Sequence, residues 1–310
     1  MADFTTAMTS VADVDDSIIR AYDAGFIMAA QQADVMTPFV QYRASFGADA
    51  IKFPKYAALS ATGFDLVDKE DPASEAVTDT AILITPTEKG KVVTKTTLAS
   101  LQTGGKIDLA IPQLVGANLA RAINITAIRA AEATTNVVYG GTATAPGNVG
   151  AGDVMSKTVL EKVYNKMARA SIPTMPGMGL YVAFMHDDVI SDLRSAAAAG
   201  DWTDVNKYGN PAVVLNNAVS VYKGFLIVRN NDCAFADQTG AGTVDEYVSS
   251  FVGFNGLGRG VSLAPGLRFT STDKLQRFIN VGWYGVWADK IVDSDAVWKA
   301  VTSSSLGANS

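Results

Sequence analysis

IKFPKYAALSATGFDLVDKEDPASEAVTDTAILITPTEKGKVVTKTT, residues 51–97, is followed after a Gly104-Gly105 break by QLVGANLARAINITAIRAAEATT, residues 113–135. The first stretch reads as an extended arm. Pro54 keeps Phe53 out of helical geometry, so residues 51–56 enter as a strand. Residues 81–85 form a return strand, and the charged tip at 65–79, with Pro72, is expected to be exposed. Glu88 to Lys91 reads as a turn and 92–97 as another β-rich stretch. A two-stranded hairpin with no third strand has too little apolar face to be stable alone. An ordinary surface hairpin in a mixed domain would give the same strands, but long polar loops are uncommon in compact domains. The arm is therefore expected to lie on something else, most simply a neighbouring copy of the same chain.

The second stretch reads as one long helix. Asp108 and Pro112 mark its entry. Val115, Leu119, Ala122, Ile123, Thr126 and Ala130 fall on one face at helical spacing. At ~1.5 Å per residue it would span on the order of 35 Å, a spine behind a sheet. A plain core helix has the same stripe.

Outward from these two parts, Asp13, Asp15 and Asp16 precede a helical stripe of Ile18, Ile19, Tyr22, Phe26 and Met28. Residues 137–153 read as a Gly/Ala/Thr/Pro linker, and 156–170 as a helix with Ser156 as N-cap. A buried strand follows at 180–185, a helix at 187–199, a hairpin at 218–228 around Lys223-Gly224 and an apolar strand at 247–254. In residues 277–287, Ile279, Val281, Trp283 and Trp287 alternate onto one face. Residues 289–301 read as a closing amphipathic segment carrying Trp298. There is no internal repeat.

The chain has 310 residues and a formal net charge of -6, from 31 acidic and 25 basic side chains, so no global basic field recruits nucleic acid. Cys233 is its one cysteine, which excludes an intramolecular disulfide and a cysteine metal cluster. No apolar run approaches the ~18 residues of a membrane span, and the N-terminal region is acidic where a signal peptide is basic. No membrane association and use in the cytoplasm are the expectation.

Candidate chemistry is sparse. His186, the sole imidazole, has Asp187 beside it but no nucleophile elbow, and one His with Asp187 and Asp188 falls short of a metal ligand set. Asp187, Asp188 and Asp192 fit a helix start, where carboxylates suit the dipole. Cys233 has no basic neighbour to activate it. Gly253-Phe254-Asn255-Gly256-Leu257-Gly258-Arg259-Gly260 resembles a phosphate loop in composition. It lacks Gly-Lys-Ser/Thr and a following helix, so a flexible loop near a subunit axis is the expected reading. No catalytic residue, cofactor or metal is expected.

The order of parts then becomes informative. YVAFMHDDVISDLR at 181–194, Trp202, VYKGFLIV at 221–228, GFNGLGRG at 253–260 and NVGWYGVW at 280–287 follow the spine in a set sequence. Together with the arm they resemble the tailed-phage major capsid proteins of the Hong Kong 97-like fold. The resemblance covers residues 14–301; its motifs are degenerate, and Asp187 stands where related coats often carry Pro. It implies an α+β fold with an N-terminal arm and helix at 1–50 and an extended loop at 51–98. A spine helix with part of a peripheral domain follows at 99–153, a mainly axial domain at 154–273 and a peripheral return strand at 274–310.

The implied function is a structural, non-enzymatic subunit of an icosahedral virion shell, assembling into pentamers and hexamers around double-stranded DNA that it touches non-specifically. Expected partners are further copies, a separate scaffolding protein, a portal and a decoration protein, with assembly in the host cytoplasm. The residues implied for inter-subunit contact are Lys55, Tyr56, Phe64, Lys69, Glu70, Glu75, Lys89, Lys91 and Lys95 of the loop. Val115, Leu119, Ile123 and Arg129 belong to the spine, and Asn255, Gly256, Gly258 and Arg259 to an axial-domain loop. The alternatives are an encapsulin-like cargo compartment on the same fold and a nucleotide-binding enzyme using residues 253–260.

Overall fold

The structure, a computed structural model, describes residues 33–47, 49–60, 62, 68, 71, 74–104, 106–196, 218–271, 275 and 277–306. The helical stripe expected at residues 18–28 lies outside them. The elements run β1 (Gln41–Ala44), β2 (Ile51–Tyr56), β3 (Asp79–Ile84), β4 (Thr87–Thr96), α1 (Thr97–Gln102), α2 (Lys106–Glu132) and β5 (Val137–Tyr139). They continue through α3 (Lys157–Arg169), β6 (Tyr181–Met185), α4 (Asp187–Ala196), β7 (Ala218–Tyr222), β8 (Phe225–Arg229) and β9 (Phe235–Ala236). The chain closes with β10 (Glu246–Val252), β11 (Leu257–Ser271), β12 (Phe278–Ile291) and β13 (Val297–Thr302).

Helix α2 is the spine, and it serves two sheets. Its 27 residues span about 40 Å. The N-terminal half lays Ile107, Ile111, Val115, Leu119 and Ile123 on Val261, Ile279, Val281, Trp283 and Trp287 of a four-stranded sheet, order β1-β11-β12-β4. The indole N–H of Trp283 donates to Asn118 Oδ1 at 3.0 Å, so this contact has a fixed register. The C-terminal half lays Ala127, Ile128 and Ala131 on Val182, Phe184, Val228, Val252 and Val297 of a second sheet, order β5-β13-β10-β6-β8-β7 with β9 on β10. Small residues at 127 and 131 bring helix and sheet close together. The other face of that sheet is covered by α3, whose Val159, Leu160, Val163 and Met167 recur at helical spacing, and by Val189, Ile190 and Leu193 of α4.

A buried polar cluster between α2 and the second sheet is internally paired. Asn124 Nδ2 donates to Asn230 Oδ1 at 2.9 Å and to Asp232 Oδ2 at 3.0 Å, and Arg121 Nε reaches Asp232 Oδ1 at 3.0 Å. The turn joining β7 to β8 places Lys223 and Gly224 at φ +49° and +82°, the two-residue hairpin geometry that matches strand twist.

Four expectations are corrected. The helix begins at Lys106, seven residues before Gln113, and Pro112 lies inside it, leaving the carbonyl four residues earlier without its amide. Glu88 to Lys91 is not a turn but part of β4, because Thr87–Thr96 pairs continuously with β12. Residues 289–301 contain the end of β12 and β13 up to Val301, where Trp298 pairs across to Phe251. Residues 253–260 are a tight turn entering β11 rather than a flexible loop. Strands β11 and β12 belong to the first sheet and β13 to the second.

Candidate assembly interface

The arm is a hairpin with a buried root and an exposed body. Among the described residues, strands β2 and β3 pair only with each other, Ile51 opposite Ile84 and Tyr56 opposite Asp79. Ile51, Phe53 and Ile84 share one face and are buried with Val292. Their seat on β11 consists of Gly258 and Gly260. A Cβ at Gly258 would stand 3.0 Å from the Phe53 ring, and one at Gly260 3.2 Å from both Ile51 and Ile84. The glycines that resembled a phosphate loop are thus filled by the chain's own side chains. Beyond the root, Tyr56, Leu59, Val77 and Leu83 are all more than half exposed.

Each expected loop residue has a definite place, apart from Phe64, Lys69 and Glu70, which lie outside the described residues. Lys55 Nζ pairs with Asp293 Oδ1 of the body at 2.8 Å. Tyr56 lines a cleft of about 510 Å³ between the arm and residues 133–135 at the end of the spine. Glu75 accepts from the Ser60 amide at 2.8 Å, tying the two sides of the arm. Lys89 lies over the Trp287 ring at 5.3 Å and donates to Trp287 O at 3.0 Å; burial lowers its pKa, against the opposing pull of Asp289. Lys95 is paired with Asp108. Lys91 stays exposed on β4, opposite Trp283.

Of the spine residues, Val115, Leu119 and Ile123 face the four-stranded sheet, whereas Arg129 pairs with Glu132. Burial raises the Glu132 pKa, against its bonds from the Ala234 amide and Arg129. Asn255 sits at φ +63° and accepts from Gln41, and Gly256 O accepts from the Val292 amide at 2.9 Å. Arg259 is buried and paired with Asp289. These four residues brace the turn between the sheets and do not form an exposed loop.

His186 Nδ1 accepts from the Asp188 amide at 3.3 Å, and Tyr247 OH donates to Asp188 Oδ2 at 2.9 Å. Burial, then the Asp188 carboxylate, push the Tyr247 pKa up. Asp192 instead holds the C-terminal segment through the Ser305 amide at 2.9 Å. Cys233 is buried and its thiol is pushed well up by that burial. No group of three or more metal-ligating side chains occurs among the described residues, and no helix there is long and apolar enough to cross a membrane.

One further surface is formed only by the fold. Register puts Leu267 opposite Trp283 and Phe269 opposite Val281, on the side of the sheet that α2 covers, yet α2 leaves Phe269 60 % exposed. Strand β1 pairs with β11 only as far as Val261, so the far half of β11 has one open edge. Leu98 and Leu101 of α1 are also exposed. The alternation Leu267-Arg268-Phe269 was the available signal.

No protein-family model and no curated protein sequence matches the chain. Solved structures do match, over nearly the whole length of both chains. The capsid asymmetric unit of cyanophage Pam1 aligns with a TM-score of 0.73 and 15 % identity, covering 99 % of this chain and 100 % of that one. The capsid of Ralstonia phage GP4 gives 0.70 and 14 %, covering 96 % and 98 %. The capsid of a native GTA particle gives 0.65 and 11 %, covering 96 % and 99 %. The paired sheets, bridging helix and projecting hairpin of this chain are the mixed helix-and-sheet fold of these capsid proteins.

Proposed function

We propose that the chain is a non-enzymatic structural subunit of an icosahedral phage shell of the Hong Kong 97-like type. The observation that carries the reading is the arm: a hairpin seated on its own body only at the root, with an apolar and acidic length exposed beyond it. End-to-end likeness to capsid chains supports the same reading. In it, the four-stranded sheet with the first half of α2 is the peripheral domain, and the second sheet with α3 and α4 the axial domain. The arm of one copy lies across a neighbour, in pentamers and hexamers.

Assembly then proceeds through many modest contacts. Apolar burial contributes roughly 25 cal/mol per Å², offset by ordering entropy at each contact. Single contacts stay reversible, and closure of the shell multiplies them. Exposed charges such as Lys91 and Glu75 guide register more than they add affinity. The enclosed double-stranded DNA is touched non-specifically by an acidic chain. A separate scaffolding protein, a portal and a decoration protein complete the particle, which is built in the host cytoplasm and ends as a virion. Negative-stain microscopy and sedimentation of the purified protein, with and without ATP or NAD, test this. Shells, capsomer-sized rings or curved sheets are expected; a discrete monomer stabilised by nucleotide would sink the reading.

A further inference from the structure

We infer that the arm is a pivoting unit whose pitch is set by the Lys55–Asp293 ion pair across a glycine seat. No backbone hydrogen bond among the described residues joins β2 or β3 to the rest of the chain. What holds the root is apolar contact of Ile51, Phe53 and Ile84 with Gly258, Gly260 and Val292. Apolar contact is non-directional, and a seat made of glycine backbone with Val292 and Ala288 beside it offers few ridges to fix an angle. Such a joint resists separation but permits rotation.

Direction comes from three cations. Arg43 Nη1 donates to Lys52 O at 3.4 Å and its guanidinium lies 5.0 Å from the Phe53 ring centre, while Lys290 Nζ donates to Leu83 O at 3.2 Å. Both hold the root, and each uses a neutral partner. Lys55–Asp293, at 2.8 Å, is the shortest of the three and the one between two charges. Asp293 Oδ1 also accepts from the Asp295 amide at 3.2 Å, so its carboxylate is held by the turn before β13. The pair bridges the cleft of about 510 Å³ lined by Tyr56, Thr80, Thr134 and Ser294, which leaves the arm room to swing once the pair opens. Lys55 and Asp293 are 42 % and 23 % exposed, so salt weakens the link. The device is thus a salt-sensitive latch on an apolar bearing, a means of giving one chain several arm angles. It is a property of the single chain and stands whether or not the chain builds shells.

Electron-electron spin resonance between labels at Ala76→Cys on the arm and Lys162→Cys on α3, in a Cys233→Ala background, reads the pitch directly. Labelled chain is diluted into unlabelled chain so that only intrachain distances count. The expected result is one dominant distance. Lys55→Gln and Asp293→Asn should each raise the share of other distances about two- to fivefold, the scale of a half-exposed ion pair. High salt should do the same to the parent and little to either variant. Gly260→Val should move the main distance without broadening it. A distribution unchanged in both latch variants, or one already broad in the parent at low salt, overturns the inference, and circular dichroism confirms that each variant is folded.

Discussion

Arg259 and Asp289 are directly opposed across β11 and β12, and Arg259 Nε meets Asp289 Oδ1 at 2.6 Å with the carboxylate fully buried. The guanidinium also donates to Thr37 Oγ1 at 2.7 Å and to Ile123 O at 3.4 Å. One side chain therefore ties the N-terminal segment, the spine and the sheet together. Burial raises the Asp289 pKa, and Arg259 opposes that rise. Arg259→Met should cost about 3–5 kcal/mol in urea unfolding, because it strands a buried carboxylate. Adding Asp289→Leu should recover most of the loss.

Glu132 sets a pH dependence. Its raised pKa means that the folded chain binds a proton more readily than the unfolded one. Stability from this group is therefore full below the ordinary carboxylate range and lost as pH rises through the folded pKa. Glu132→Gln should remove that slope: parent minus variant stability should increase as pH falls from 7 towards about 4.5. Thermal unfolding of both proteins across that range measures it, and a difference that shrinks on acidification would contradict the assignment.

At the β7–β8 turn, a Cβ on Gly224 would lie 2.4 Å from the Tyr164 ring while φ stays at +82°. Gly224→Ala should destabilise the chain by about 1–3 kcal/mol through strain and overpacking. Lys223→Gly, at φ +49°, should be nearly neutral. Denaturant titration separates the two.

The turn at Lys223-Gly224 and the stripe Ile279, Val281, Trp283, Trp287 were legible because each has a local cause, a positive-φ dipeptide or a two-residue period. Val115, Leu119 and Ile123 were legible as a helix face but not as the face of one sheet among two, since the partner strands lie more than a hundred residues away. Residues 253–260 misled for the same reason. Their glycines suit a ligand or a packed neighbour equally well, and only the fold brings Phe53 and Ile51 to them. The turn expected at 88–91 failed because Gly90 looks like punctuation until β12 pairs with it.

The exposed far end of β11 gives an assembly prediction. Leu267→Ser with Phe269→Ser should change chain stability by no more than about 0.5 kcal/mol, as exposed substitutions do. It should raise the protein concentration needed for assembly several-fold, read by light scattering. An unchanged threshold would place this surface outside the contacts between subunits.

In the proposed shell, the arm joins one subunit to the next. The most direct measurement compares the sedimentation of the full chain with that of a chain whose residues 60–74 are replaced by Gly-Gly, both checked for folding by circular dichroism. The full chain should form rings or shells, and the shortened chain should remain a folded monomer. Identical sedimentation of the two would mean that the arm does not join subunits.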